Sequence, residues 1–257
     1  MFKTIVTALA LSLPAYTGAM AETIRAITAD TLSPFTRSAD AELPGFSVEY
    51  VRAIAAEAGV ELEIEYMPWK RAQAVVAEEP DLLLFGATRN AAREEKYDWA
   101  VNLITAERVF LTVGDPINSI DEARNLGLIA ARSVYLRALE KEGLTNAEEG
   151  ETVGNMKKLK AGRVDAVFTI APRAVFNWVQ ELGYDPADLT VGEAVASGDI
   201  WLAASKGYDR AIMRRLEAAN QTLRANGTYE QLYRKYFGAL PILPSAHPDK
   251  KPTAGES

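Results

Sequence analysis

Apolar and polar positions along this chain recur with two periods, and the switches between them mark out its elements. Over Thr23–Thr28, Ile24, Ala26 and Thr28 alternate with Thr23, Arg25 and Ile27, which predicts a short strand. Residues 31–44 carry Pro34, Asp40 and Pro44 and predict a loop. Gly45 opens a helix in which Phe46, Val51, Ile54, Ala55 and Ala58 fall near helical spacing, with Gly59 suited to its C-terminal end. Leu62, Ile64 and Tyr66 alternate with three glutamates as a half-buried strand; Trp69–Glu78 then predicts a helix and residues 81–85 a buried strand. This strand–helix order implies a parallel sheet.

Residues 109–113 predict another strand, and after Asp115-Pro116 the pattern restarts. Strands are expected at 126–131, 165–170, 189–191 and 199–205, and helices at 133–142, 153–161, 171–182, 209–225 and 229–237, with Asn226-Gly227 as a turn. The chain thus divides into two α/β units of similar size with no visible sequence repeat. Strands joining two such units leave a cleft between them, a favoured place for a small ligand.

The ends differ from the middle. Lys3 precedes an apolar run over 5–13, broken by Pro14, and small residues lead to Ala19-Met20-Ala21, the order of a secretory leader. The run falls short of the roughly 20 residues that cross a bilayer. Residues 1–21 are therefore expected to be cleaved after Ala21, leaving a mature chain from Glu22 in the periplasm. No other segment reads as membrane-spanning, and with no cysteine in the sequence there is neither lipid anchor nor disulfide. Residues 238–257, with Pro241, Pro244, Pro248 and Pro252, predict a loosely held tail that contains the single histidine, His247.

Charge narrows the partners. Loss of Lys3 takes the formal net charge from −7 to −8, which argues against nucleic acid or an anionic membrane surface. No nucleophile elbow, phosphate loop or Cys/His metal cluster occurs, and no cofactor is expected. Most carboxylates, such as Glu78-Glu79 and Glu94-Glu95, sit on helix faces, where solvation is their ordinary fate. A carboxylate pair in the cleft remains a route to acid–base chemistry.

Four segments together carry a resemblance: Gly45-Phe46-Ser47-Val48-Glu49-Tyr50, residues 81–99, Gly162-Arg163-Val164-Asp165-Ala166-Val167, and Asn226-Gly227-Thr228-Tyr229 with Tyr236-Phe237-Gly238. In this order and spacing the chain resembles the family 3 bacterial extracellular solute-binding proteins, from Ile24 to Gly238. The resemblance implies a type II periplasmic-binding fold: lobe 1 from 22–110 and 200–238, lobe 2 from 111–199, and crossover strands near 109–114 and 194–204. It also implies a monomer that delivers a small polar, carboxylate-bearing ligand to an ABC permease by lobe closure.

The same resemblance supplies site residues. In Gly86-Ala87-Thr88-Arg89-Asn90-Ala91-Ala92-Arg93, Arg93 would grip a ligand carboxylate through its planar fork, Thr88 would add a hydroxyl and Gly86 a close backbone approach. The competing reading of Arg93 is a surface ion pair with Glu95 or Asp98, and Arg89 is either a second anion-binding group or solvent-facing. Arg132 and Ser133 stand at a helix start where Ser133 suits the N-cap and the turn's amides suit an anion. Trp69 either stacks on the ligand or anchors the core, Phe35 is a cleft candidate, and Trp178 and Trp201 read as core. Two departures bear on specificity. Ile170 stands where the family often has an aspartate for the ligand's ammonium, and Leu32 where it has a stacking aromatic. Either the ligand lacks an α-amine, or Asp30, Asp40 or Glu49 takes over. Two other readings stay open: a lyase of the cyclohexadienyl-dehydratase type on the same fold, and a subunit that presents ligand to a sensor.

Overall fold

The computed structural model describes residues 22–244; the leader expected at 1–21, its cleavage point and His247 lie outside the described residues. Strand β1 (Thr23–Thr28) is followed by α1 (Phe46–Glu57), β2 (Glu61–Tyr66), α2 (Trp69–Glu78), β3 (Leu82–Thr88), α3 (Ala91–Glu94) and β4 (Tyr97–Ile104). Next come β5 (Glu107–Thr112), α4 (Ile120–Ala123), β6 (Ile129–Ala131), α5 (Ser133–Lys141), β7 (Ala147–Glu149), α6 (Thr152–Lys160), β8 (Ala166–Ile170) and α7 (Ala171–Phe176). The chain closes with β9 (Thr190–Val191), β10 (Ala196–Ser197), β11 (Ile200–Ser205), α8 (Arg210–Ala225) and α9 (Thr228–Phe237).

Two sheets result. The first is five-stranded in the order β2-β1-β3-β11-β4, and the second six-stranded as β10-β5-β8-β6-β7 with β9 beside β5. The β1, β2 and β3 pairings are parallel as the strand–helix order predicts, whereas β11 joins β3 and β4 antiparallel. The chain changes sheet at residues 105–106 and again at 198–199. The first change precedes the 109–114 expected, because β5 already pairs with β8 from Arg108 onward. The two crossings lie side by side: the Ala106 amide donates to Asp199 Oδ1 at 3.1 Å, and the Gly198 amide to Ala106 O at 2.9 Å. Gly198 must be small, since a Cβ there would collide with Ile170 Cγ2.

Other departures have local causes. The expected strand at 126–131 shortens to β6 because the Asp165 carboxylate takes the Gly127 and Leu128 amides at 2.7 and 2.9 Å. The helix expected over 171–182 widens to a π-helical turn at Asn177–Glu181, where the buried Trp178 donates Nε1–H to Asp185 O at 2.7 Å. Nor is the start of the tail loose. Thr105 Oγ1 donates to Pro244 O at 2.7 Å, Tyr233 OH to Pro241 O at 2.9 Å, and Arg234 Nη1 to Leu240 O at 2.9 Å.

Apolar burial locks the C-terminal helices onto the first sheet. Phe46 is fully buried and meets Tyr229 and Phe237 with ring centroids 5.7 and 5.3 Å apart. Burying such a ring contributes about 1.5–3 kcal/mol. The two halves touch as well: Phe176 stacks on Tyr236 at 6.1 Å, and Arg37 pairs with Glu181 at 3.2 Å.

Candidate ligand-binding cleft

In α/β sheets ligands bind beyond the carboxyl ends of the strands. Here the segments after β1 and β8 meet, with the Arg173 guanidinium 5.4 Å from the Phe35 ring centre. β3 ends beside them. Its register against β11 slips at Gly86: Trp201 faces Ala87 and Leu202 faces Phe85, so Gly86 is the extra residue of a bulge. Gly86 has φ 86°, a conformation that favours glycine, and a Cβ there would meet Leu32 Cδ1 at 3.1 Å.

Beyond the bulge, Arg93 is partly buried. Its Nη1 donates to Thr88 O at 2.8 Å and its Nη2 to Gln73 Oε1 at 2.7 Å, with the Trp69 ring centre 6.0 Å away. Both partners are neutral, and no carboxylate among the described residues lies within ion-pair distance. Burial pushes its pKa below the ordinary arginine value. The surface pair with Glu95 or Asp98 does not form; Asp98 instead accepts from Lys206 and from the Gly207 amide. Trp69, half-buried, backs the guanidinium. Gln73, absent from the sequence-based candidates, sits one helical turn after Trp69, and that spacing was its available signal.

Arg89 has a different fate from either one expected. It is buried, forms a two-point pair with Glu94 at 3.1 and 2.6 Å, and lies 5.4 and 4.9 Å from the Trp99 and Trp201 ring centres. It is neither solvent-facing nor set among the groups around Arg93. Phe35 likewise belongs to the core at 1 % exposure, packed on Phe237, and shows Arg173 one ring face rather than an open wall. Trp178 and Trp201 are core residues.

On the second sheet, β6 delivers Arg132 and Ser133. Arg132, not Ser133, occupies the N-cap of α5, and no side chain caps the helix; Ser133 is the exposed first helical residue. Arg132 Nε lies 3.5 Å from the exposed Glu151 carboxylate. Ile170 ends β8 at 1 % exposure. Three residues on, in the first turn of α7, Arg173 is 8 % exposed and its Nε has no hydrogen-bond partner. Burial first, and then the charge of Arg132, push its pKa down, against opposing pulls from Tyr135 and Glu151. Arg173 too escaped the sequence-based candidates; its signal was a cation directly after the Ala171-Pro172 helix start. A groove of about 770 Å³ between β4 and α8 holds Arg89 but neither Arg93 nor Arg173.

A model of the bacterial extracellular solute-binding proteins, family 3, matches residues 24–239. The chain belongs to that family. As a family 3 solute-binding protein it is 24% identical to the L-cystine-binding protein TcyJ of Escherichia coli over 218 residues, 81% of this chain and 80% of the relative. A probable histidine-binding protein of Neisseria gonorrhoeae is 23% identical over 201 residues, 75% of this chain and 74% of the relative. Among solved structures, an ancestral cationic amino acid solute-binding protein superposes with TM-score 0.69 at 22% identity, covering 84% of this chain and 95% of its own. The second substrate-binding domain of GlnP from Lactococcus lactis, in an open conformation, gives TM-score 0.69 at 19% identity, covering 86% and 97%. These likenesses show the type II periplasmic-binding fold. The match of this family 3 protein ends at 239, so the pinned segment from Leu240 to Pro244 lies beyond it.

Proposed function

We propose that this family 3 protein is a receptor that takes a small carboxylate-bearing solute between its lobes and presents the closed form to the permease of an ABC importer. The observation that carries this reading is Arg93: a partly buried guanidinium beside the C-terminal end of β3, held by neutral oxygens and lacking a carboxylate of its own. A ligand carboxylate supplies that partner through the arginine fork. The lobes divide at the two crossings, 22–105 with 199–238 against 106–198. The mature chain begins at Glu22 in the periplasm and acts as a monomer. The curated relatives described are binding proteins, and arginines that stay charged bind anions rather than exchange protons. Both points support binding without turnover, and incubation with prephenate and arogenate is expected to yield no product.

Thermal unfolding of the mature protein against amino acids, amines and small carboxylates tests the reading. A true ligand at a hundredfold excess over Kd stabilises by about 2.7 kcal/mol, a Tm rise of roughly 5–10 °C, which Arg93→Ala abolishes. Amines alone shifting Tm, or a carboxylate shift that survives Arg93→Ala, overturns it.

A further inference from the structure

We infer that Arg173 is the second anion-holding group of this cleft, and that the ligand is a dicarboxylate whose far end is acidic where an amino acid would carry its ammonium. The inference rests on the receptor reading above and names its substrate class.

An arginine at 8 % exposure with no carboxylate within ion-pair distance among the described residues is an uncompensated buried charge. Such a charge is costly in an isolated fold and is balanced when an anion arrives. The location suits a ligand: the guanidinium lies at the seam of the two halves, above the Phe35 ring and beside the first turn of α5. That nine-residue helix adds N-terminal amides without intrahelical partners. The neighbouring cation, Arg132, is already offset by Glu151. Arg173 thus keeps its positive charge on this side, and Arg108, whose guanidinium lies 5.9 Å from the Tyr135 ring centre and whose Nε has no hydrogen-bond partner, adds to it, so the place suits an anionic group.

Among the described residues, nothing near Arg173 suits an ammonium. Ile170 closes β8 with an apolar side chain. Glu49 is engaged by Lys235 and Tyr236, and Asp30 and Asp40 are exposed. An α-ammonium beside Arg173 would face a like charge in a poorly hydrated place.

Isothermal titration of the mature protein tests this with succinate, glutarate and adipate, the monocarboxylates of the same chain lengths, and L-glutamate, L-glutamine and L-arginine. At least one dicarboxylate is expected to bind about a hundredfold more tightly than its monocarboxylate, on the scale of one charge-assisted two-point pair. Arg173→Met is expected to reduce that dicarboxylate to the monocarboxylate level, and Arg173→Lys to keep part of the difference. Arg173→Met is also expected to unfold at the same or a higher Tm without ligand, because it removes a buried unpaired charge. Two outcomes overturn the assignment while the receptor reading stands: an amino acid that outbinds every dicarboxylate, or an Arg173→Met protein of unchanged dicarboxylate affinity. Absence of binding by every compound overturns both.

Discussion

Arg89 and Arg93 stand one short turn apart, yet a single glycine sends them to different surroundings. Strict alternation along β3 would continue the even positions Leu82 and Leu84 on the side of Trp99 and Trp201. The bulge at Gly86 inverts the order, so Ala87 joins that cluster, Arg89 follows it, and the Thr88 carbonyl accepts from Arg93. The two arginines should therefore separate cleanly in urea. Arg89→Met leaves Glu94 without its two-point partner and is expected to destabilise by about 3 kcal/mol. Arg93→Met breaks no ion pair and is expected to stay within about 1 kcal/mol of the parent while losing carboxylate binding. Equal losses from both would show that Arg93 is structural. The motif was legible in the sequence. Which arginine faced which side was not, because a bulge is a property of two paired strands and leaves only a glycine as its trace.

Helices α1, α8 and α9 are joined by tyrosines as much as by aliphatic residues, and this gives the element scale a pH signature. Burial is the first cause that raises Tyr50, Tyr229, Tyr233 and Tyr236 above the ordinary phenol value of 10.0, and it lifts Tyr208 to about 12. A raised pKa means that the folded protein keeps protons the unfolded chain gives up, so stability is fully present below pH 10 and declines as pH rises above it. The urea midpoint is expected to hold steady from pH 8 to about 9.5 and to fall by pH 11, with most tyrosinate absorbance appearing only on unfolding. Early tyrosinate absorbance in the folded protein would mean that the cluster is open to hydroxide. Helices α8 and α9 were legible because one face alternates with solvent at helical period. Strand β4 was not: seven of its eight residues are buried, so no polar position alternates with the apolar ones. β7 and β10, at three and two residues, are too short to show a period.

At the scale of the whole molecule, the segment after α9 changes how the two halves are joined. Proline density in the sequence argued for a free tail, and proline does exclude helix and sheet there; it does not prevent a rigid strap. Carbonyls do the fastening, since they need no N–H: Pro241 and Pro244 accept from Tyr233 and Thr105, the latter at the first crossing. Leu240 packs against the large core cluster, which holds residues of both sheets, and also against the cluster of Val109, Leu111 and Trp178 on the second. That side chain thus touches both clusters, in a groove it shares with Thr105 and Ala106 of the first crossing and with Tyr233. Truncation after Ala239 removes that contact together with four hydrogen bonds of the described residues and is expected to cost about 2 kcal/mol, a Tm loss of roughly 4–8 °C. Leu240→Ala alone should reproduce about half of it. Faster hydrogen exchange should appear at Ala106 and Val109, next to the crossing, while α1 and α8 keep their protection. Unchanged Tm and exchange after truncation would show that the paired crossings hold the halves unaided. A loss spread evenly over α1 and α8 would place the strap's contribution in the first-sheet core rather than at the junction.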